Sequence, residues 1–476
     1  MGDAGLGRWL NSLPGGDLAY RLWTDDLVVP LLGRHALPLS RAWAAADAAD
    51  GDPRRFLESL DLPAGWRWPV GPAVSAVARR AAAHRRAEAA WRRGLFEGQG
   101  TGDPAALEEA RRTAAHAWMS TRNLFTLLNL AADLPIHGGR LPTLGGRLPA
   151  VRFAIPDPAT VEARHGARLA DPSRAFTADP EAEVAESRVV SLDLPSGPRA
   201  TAWVRLDSGP AGPAWGRLEW PEGVDPADGR PRPVVILAHG ICMEPEFWAP
   251  HLWFRAADLM APLRRAGVVT LAVEGPWHGR RRLPGWYGGE PVLGLGPLGA
   301  LDYFAAHVPE LGTLTAWARR RFGGPVGFAG FSLGALTGAL ALSAAAHWPT
   351  ACRPDAGLLI APGGSVQALS LKGTLTAATE VPRALQAAGW TPARLDRWRP
   401  LLDPGAAPGI APGRIVALIG EGDTVTLHDE AEALVARWGV PTANRFIEPR
   451  GHFSAYYGLS RDPEPLHRLV GLLAAG

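Results

Sequence analysis

From residue 234 onward the chain alternates short apolar runs with helical patterns, and few architectures accommodate that alternation. Runs at 234–238, 268–273, 326–329, 356–360, 415–419 and 443–447 are rich in Val, Ile, Leu and Ala and too short for buried helices. Helical periodicity fits 252–266, 298–322, 333–347, 428–438 and 454–473. Strand–helix–strand repetition, with strands apolar on both faces, predicts an α/β fold: a mostly parallel sheet flanked by helices. Residues 189–194 and 199–206 read as an antiparallel pair leading into it, and 209–232 as a loop rich in Pro and Gly.

The first part of the chain has a different pattern. Helical periodicity dominates 73–91 and 104–134, and 136–186 reads as a long excursion packed on the surface. The expected division is an N-terminal helical region with its connecting segment, 1–185, and an α/β domain, 186–476. Two stretches interrupt the alternation, 279–297 and 363–412. Both leave strand C-termini, where open α/β sheets form ligand crevices, so both are cap candidates.

Within the alternation, Gly330-Phe331-Ser332-Leu333-Gly334 joins an apolar strand to a helix of small residues. A serine on such a turn projects its hydroxyl above the sheet edge, and the helix N-terminus points N–H groups at the same place. With 56 glycines in 476 residues, the five-residue pattern alone is weak; its strand–turn–helix setting strengthens it. Serine needs a base, and the base an orienting acid. Asp423 follows the strand at 415–419, where it serves either as that acid or as an Asx-turn residue, with Glu421 the second choice. His452 stands after the last strand and before the last helix, as a base or as a solvated loop side chain. After the strand at 234–238, His239-Gly240-Ile241 forms a turn able to aim a backbone N–H back at the serine. Ile241, with Cys242 next, and Leu333 are the expected oxyanion donors.

Taken together, the His-Gly turn, the Gly-Phe-Ser-Leu-Gly elbow, Gly422-Asp423-Thr424 after a strand and Gly451-His452 before the last helix resemble the α/β-hydrolase superfamily over residues 188–476. The resemblance implies a serine esterase or lipase with an acyl-enzyme mechanism carried by Ser332, Asp423 and His452. Its alternatives are a thioesterase or acyltransferase, a peptidase, and a non-catalytic binding or scaffold protein. Candidate substrate-binding residues are His239, Trp248, Trp277, Arg280, Phe331 and Phe453. The arginines of Glu274-Gly-Pro-Trp-His-Gly-Arg-Arg-Arg282 read either as an anion clamp or as a solvated basic loop. Gly294-Leu-Gly-Pro-Leu-Gly299 matches a dinucleotide fingerprint, but Pro297 removes a donor and no strand precedes it, so no cofactor is expected. No metal-binding pattern occurs.

Composition narrows the partners. A net charge of +2 gives no general attraction to nucleic acid, and no apolar run reaches the length of a membrane span. The arginine stripe at 79–93 reads as a solvated helix face, with peripheral contact to an anionic membrane as its alternative. Cys242 and Cys352 are the only cysteines. With no secretory pattern at the start, the expected setting is cytoplasmic and the expected partner a small ester or acyl compound. Oligomeric state is not legible.

Overall fold

The computed structural model describes residues 23–98, 102–133, 148–194, 197–207, 211–221, 223–243 and 259–475. The N-terminal helices are α1 (Trp23–Leu31), α2 (Leu37–Ala48), α3 (Arg67–Leu95) and α4 (Pro104–Met119), followed by α5 (Pro158–Ala170). The strands are β1 (Val184–Glu186), β2 (Val190–Leu194), β3 (Gly197–Leu206), β4 (Ala214–Glu219), β5 (Arg232–Ala238), β6 (Val269–Val273), β7 (Gly323–Phe331), β8 (Ala356–Ile360), β9 (Ile415–Gly420) and β10 (Arg445–Glu448). Among and after them run α6 (Pro297–Phe322), α7 (Leu333–Ala344), α8 (His428–Arg437), α9 (His452–Gly458) and α10 (Glu464–Ala474).

All ten strands form one sheet in the order β1-β3-β4-β6-β5-β7-β8-β9-β10, with β2 also on β3. From β6 to β10 every pairing is parallel; β1 to β4 add an antiparallel flank. The expected α/β class, a mostly parallel sheet flanked by helices, is what forms. The central strands β8 and β9 are buried from end to end, as both-face coverage requires. One core lies under α6 and α7, another under α10. The strand order reverses between β5 and β7, whose ends are in register at Ala238 and Gly330. Such a reversal opens a crevice at the strand C-termini.

Three expectations need correction. The presumed loop at 209–232 contains β4, whose Ala-Trp-Gly-Arg-Leu-Glu run is short and framed by Gly212 and Pro221. Residues 148–186 lie mostly exposed, as a surface excursion does, but contain the helix α5, capped by Asp157, and anchor in the main core through Val151, Val161 and Phe176. The final helix is two, α9 and α10, with Pro463 at the break. The start of the expected helix at 252–266 lies outside the described residues; Ala261–Arg265 is helical.

In α3 the residues Val70, Val74, Val77 and Ala81 recur on one face and are buried, which is the reason this segment is a helix and packs as one. The N-terminal cluster that the three valines help form also takes in Tyr287, Leu375 and Val425 from later in the chain. A buried ion pair, Arg41 to Glu290 at 3.1 Å, ties α2 to the stretch before α6. Glu290 also accepts the N–H groups of Arg152 and Tyr287. Neither Cys242 nor Cys352 is in a disulfide. No helix among the described residues is long and apolar enough to cross a membrane.

Candidate active site

Ser332 sits between β7 and α7 with φ 55° and ψ −117°, a backbone conformation that a residue with a side chain adopts only when its surroundings impose it. Two hydrogen bonds impose it here. Its N–H donates to the Ile360 carbonyl at 3.0 Å, and its own carbonyl accepts from Leu336 N–H at 2.9 Å. Glycine is required on either side by close approach. A Cβ on Gly330 would lie 2.4 Å from the Gly334 carbonyl oxygen, and one on Gly334 would lie 2.2 Å from that of Ala238.

His452, the first residue of α9, brings its Nε2 to 2.9 Å from Ser332 Oγ, while its Nδ1 lies 2.8 Å from Asp423 Oδ2. The two readings of Asp423 prove compatible. Oδ1 accepts the N–H groups of Val425 and Thr426 in an Asx-type turn, which leaves Oδ2 facing the imidazole. Thr426 Oγ1, 2.7 Å from Oδ2, completes the cradle. Burial, the largest single influence on Asp423, pushes its pKa up. The electrostatic attraction of the His452 imidazole and the bonds from His452 and Thr426 together outweigh that and hold the carboxyl below its ordinary value. An ionised carboxylate only accepts, so Nδ1 carries the proton and Nε2 offers its lone pair to the serine hydroxyl.

Ile241 and Leu333 both line the cavity beside Ser332. Leu333 begins α7, where the N–H has no acceptor within the helix. Cys242, the second choice, gives its N–H to His278 Nε2 at 3.3 Å. His278 Nδ1 in turn faces the Pro276 carbonyl. Beside it, His239 is bonded through Nδ1 to the Gly240 carbonyl and through Nε2 to Gly275 N–H. Carbonyls only accept and N–H groups only donate, so each ring is the neutral Nδ1–H tautomer. Burial favours that state, lowering His239 to about 4 and His278 well below its ordinary value. These rings clip the loop after β5 to the loop after β6.

The other candidates take different places. Phe331 stacks on Tyr456 with ring centres 4.1 Å apart and supports the His452 ring from 5.0 Å. Phe453 meets that ring edge-on. Trp277 is buried in the main core. Arg280 is ion-paired to Glu88 and Glu274, away from the serine, so it is not a clamp there. Trp248 lies outside the described residues. None of the expected aromatic candidates among the described residues lines the cavity at Ser332, whose walls are mainly aliphatic, with Val292, Leu293, Leu369, Val381 and Leu385 from both expected caps and Phe304 from α6. It encloses about 90 Å³.

Asp25 was not legible as a site residue. It reaches from α1 to the start of α9, where Oδ1 accepts Phe453 N–H at 2.7 Å and Oδ2 accepts Ser454 Oγ–H at 2.8 Å. It caps the helix from outside, because Gly451 has no side chain to do so and a Cβ there would sit 2.1 Å from Asp25 Oδ2. Asp25→Ala leaves a buried N–H without an acceptor and is expected to cost about 1–3 kcal/mol of stability. It should also lower kcat more than it raises KM, because it loosens His452 rather than the cavity. Urea unfolding and ester kinetics check both; an unchanged kcat in a destabilised variant would limit Asp25 to folding.

No family model and no curated protein matches the sequence. The resemblance to α/β hydrolases is met again among solved structures. The acetyl xylan esterase of Paenibacillus sp. R4 is 16% identical over 68% of this chain and 97% of its own, with a TM-score of 0.45. Acetyl xylan esterase 1 of Thermoanaerobacterium sp. is 15% identical over 68% of this chain and 96% of its own, with a TM-score of 0.38. The acylaminoacyl peptidase of Pyrococcus horikoshii is 12% identical over 60% of this chain and 47% of its own, also with a TM-score of 0.38.

Proposed function

We propose that this chain is a serine hydrolase that cleaves carboxylic esters of aliphatic acids, with residues 186–476 as its catalytic domain. The observation that carries the reading is the unbroken hydrogen-bonded order Ser332, His452, Asp423 at the end of β7. His452 Nε2 takes the proton of Ser332 Oγ as that oxygen attacks the ester carbonyl. Asp423 holds the imidazole in the required tautomer and stabilises its charged form. The N–H groups of Ile241 and Leu333 receive the developing oxyanion, each on the order of 3 kcal/mol of transition-state stabilisation. The imidazolium protonates the leaving alcohol. Water, deprotonated by His452 in turn, attacks the acyl-enzyme and releases the acid.

The aliphatic walls favour an ester with an apolar acyl chain over one with a charged or peptidic acyl group. Each buried methylene contributes about 0.8 kcal/mol, or roughly fourfold in kcat/KM. A p-nitrophenyl ester series is therefore expected to climb from acetate by about that factor per carbon until the cavity is filled. A fluorophosphonate should attach to Ser332, located by peptide mass spectrometry. A labelled serine with a flat series would reject the aliphatic preference alone. Absence of both labelling and ester turnover would reject the hydrolase reading.

A further inference from the structure

A second cavity, of about 420 Å³, shares no lining residue with the one at Ser332. It lies between α3, α4, the end of α2 and the turn after β6. Its position follows from the helix period: Ala81, Arg85, Glu88 and Arg92 recur on one face of α3 and all line it. The arginines expected to form a solvated stripe thus partly converge on a concavity. The turn carrying Arg280 and Arg282 closes it from the other side.

The lining is strongly basic. Six guanidinium groups, from Arg85, Arg92, Arg93, Arg122, Arg280 and Arg282, face three carboxylates, from Asp47, Glu88 and Glu97, a formal excess of three positive charges. Asp47 is shared between Arg282 and Arg85, and Glu88 between Arg280 and Arg111. Among the described residues Arg92 and Arg93 have no carboxylate at ion-pair distance. Two buried donors on the wall have no acceptor, Arg92 Nε and the indole N–H of Trp118. Buried donors in folded proteins are ordinarily satisfied, so these point to an acceptor that the chain does not itself supply. The site is also stiff. Arg122 and Arg282 stack on Trp43 at 4.5 and 4.6 Å, which fixes their planes.

We propose that this cavity binds a small polyanion whose phosphate or carboxylate groups carry about three negative charges in total. Guanidinium forks match both oxyanions in bidentate fashion, and the volume suits a small molecule rather than a polymer. The site is independent of the reading at Ser332.

The test titrates the full chain with inorganic pyrophosphate and, separately, with citrate, by calorimetry at about 0.02 M and about 0.5 M salt. One equivalent should bind saturably and more weakly at the higher salt. Tighter pyrophosphate would identify a phosphate compound, and tighter citrate a polycarboxylate. Arg85 and Arg93 are exposed and outside the cores. R85Q/R93Q should therefore melt like the parent without ligand, yet bind at least about tenfold more weakly. Trp118→Phe keeps an aromatic ring, removes the indole donor and should weaken binding by about tenfold. Lack of saturable binding to either anion, or parental affinity in both variants, would overturn the proposal.

Discussion

Ser332→Ala is expected to lower kcat on p-nitrophenyl butyrate by about 10⁴-fold or more, and to abolish fluorophosphonate labelling. The fold should survive intact. The two bonds that hold the turn use the backbone N–H and carbonyl of residue 332, not its hydroxyl. Alanine bears the same backbone strain as serine at φ 55°. What the substitution removes is the hydrogen bond between Oγ and His452 Nε2. The expected signature is an unchanged melting temperature with activity gone. A variant keeping more than about one hundredth of parental kcat would show that another group attacks the ester.

The second large effect is at Asp423. Asp423→Asn is expected to reduce kcat by about 10⁴-fold with little change in KM. Position Oδ1 accepts two backbone N–H groups, from Val425 and Thr426, so an amide there must present its oxygen to them. Its NH₂ is then forced towards His452 Nδ1. That nitrogen must become the acceptor, which moves the imidazole proton to Nε2, pointing at a serine it can no longer deprotonate. Asp423→Ala tests the mechanism against simple loss of charge: without the amide the correct tautomer becomes available again, so the alanine variant should be no slower than the asparagine one. The pH dependence has a definite sign. The Asp423 pKa is depressed in the folded chain. Its contribution to stability is present above the ordinary carboxylate pKa and is lost as pH falls through the lower folded value. Acid unfolding of the parent should therefore show a loss between those two values that Asp423→Asn lacks.

What could be read in advance and what could not divide along one physical line. The side chains that meet were legible where contiguous residues mark them: the elbow around Ser332, the carboxylate after β9 and the histidine before α9 each carry local turn signals. Helix and strand cores were legible because periodicity is a local property. β4 was missed because Gly and Pro at its borders dominate so short a run. α5 was missed as a core element because its partners lie far along the chain. The cavity walls were misjudged for the same reason. Trp277 and Arg280 follow the C-terminal end of β6, on the crevice side of the sheet, but face the core and an ion network, whereas Val381 and Leu385 arrive from a distant cap. Thr426 was within reach, since a hydroxyl three residues after a strand-end aspartate is a common carboxylate support. Asp25 offered no such signal.

That last residue bonds to an amide 428 positions further along the chain. So wide a separation makes the orientation of the imidazole a whole-chain property. The carboxylate leaves the ribosome long before its amide partner, and the cap closes only when both ends of the polypeptide have come together. Excising the front helices would strip the donors after Gly451 of their seat.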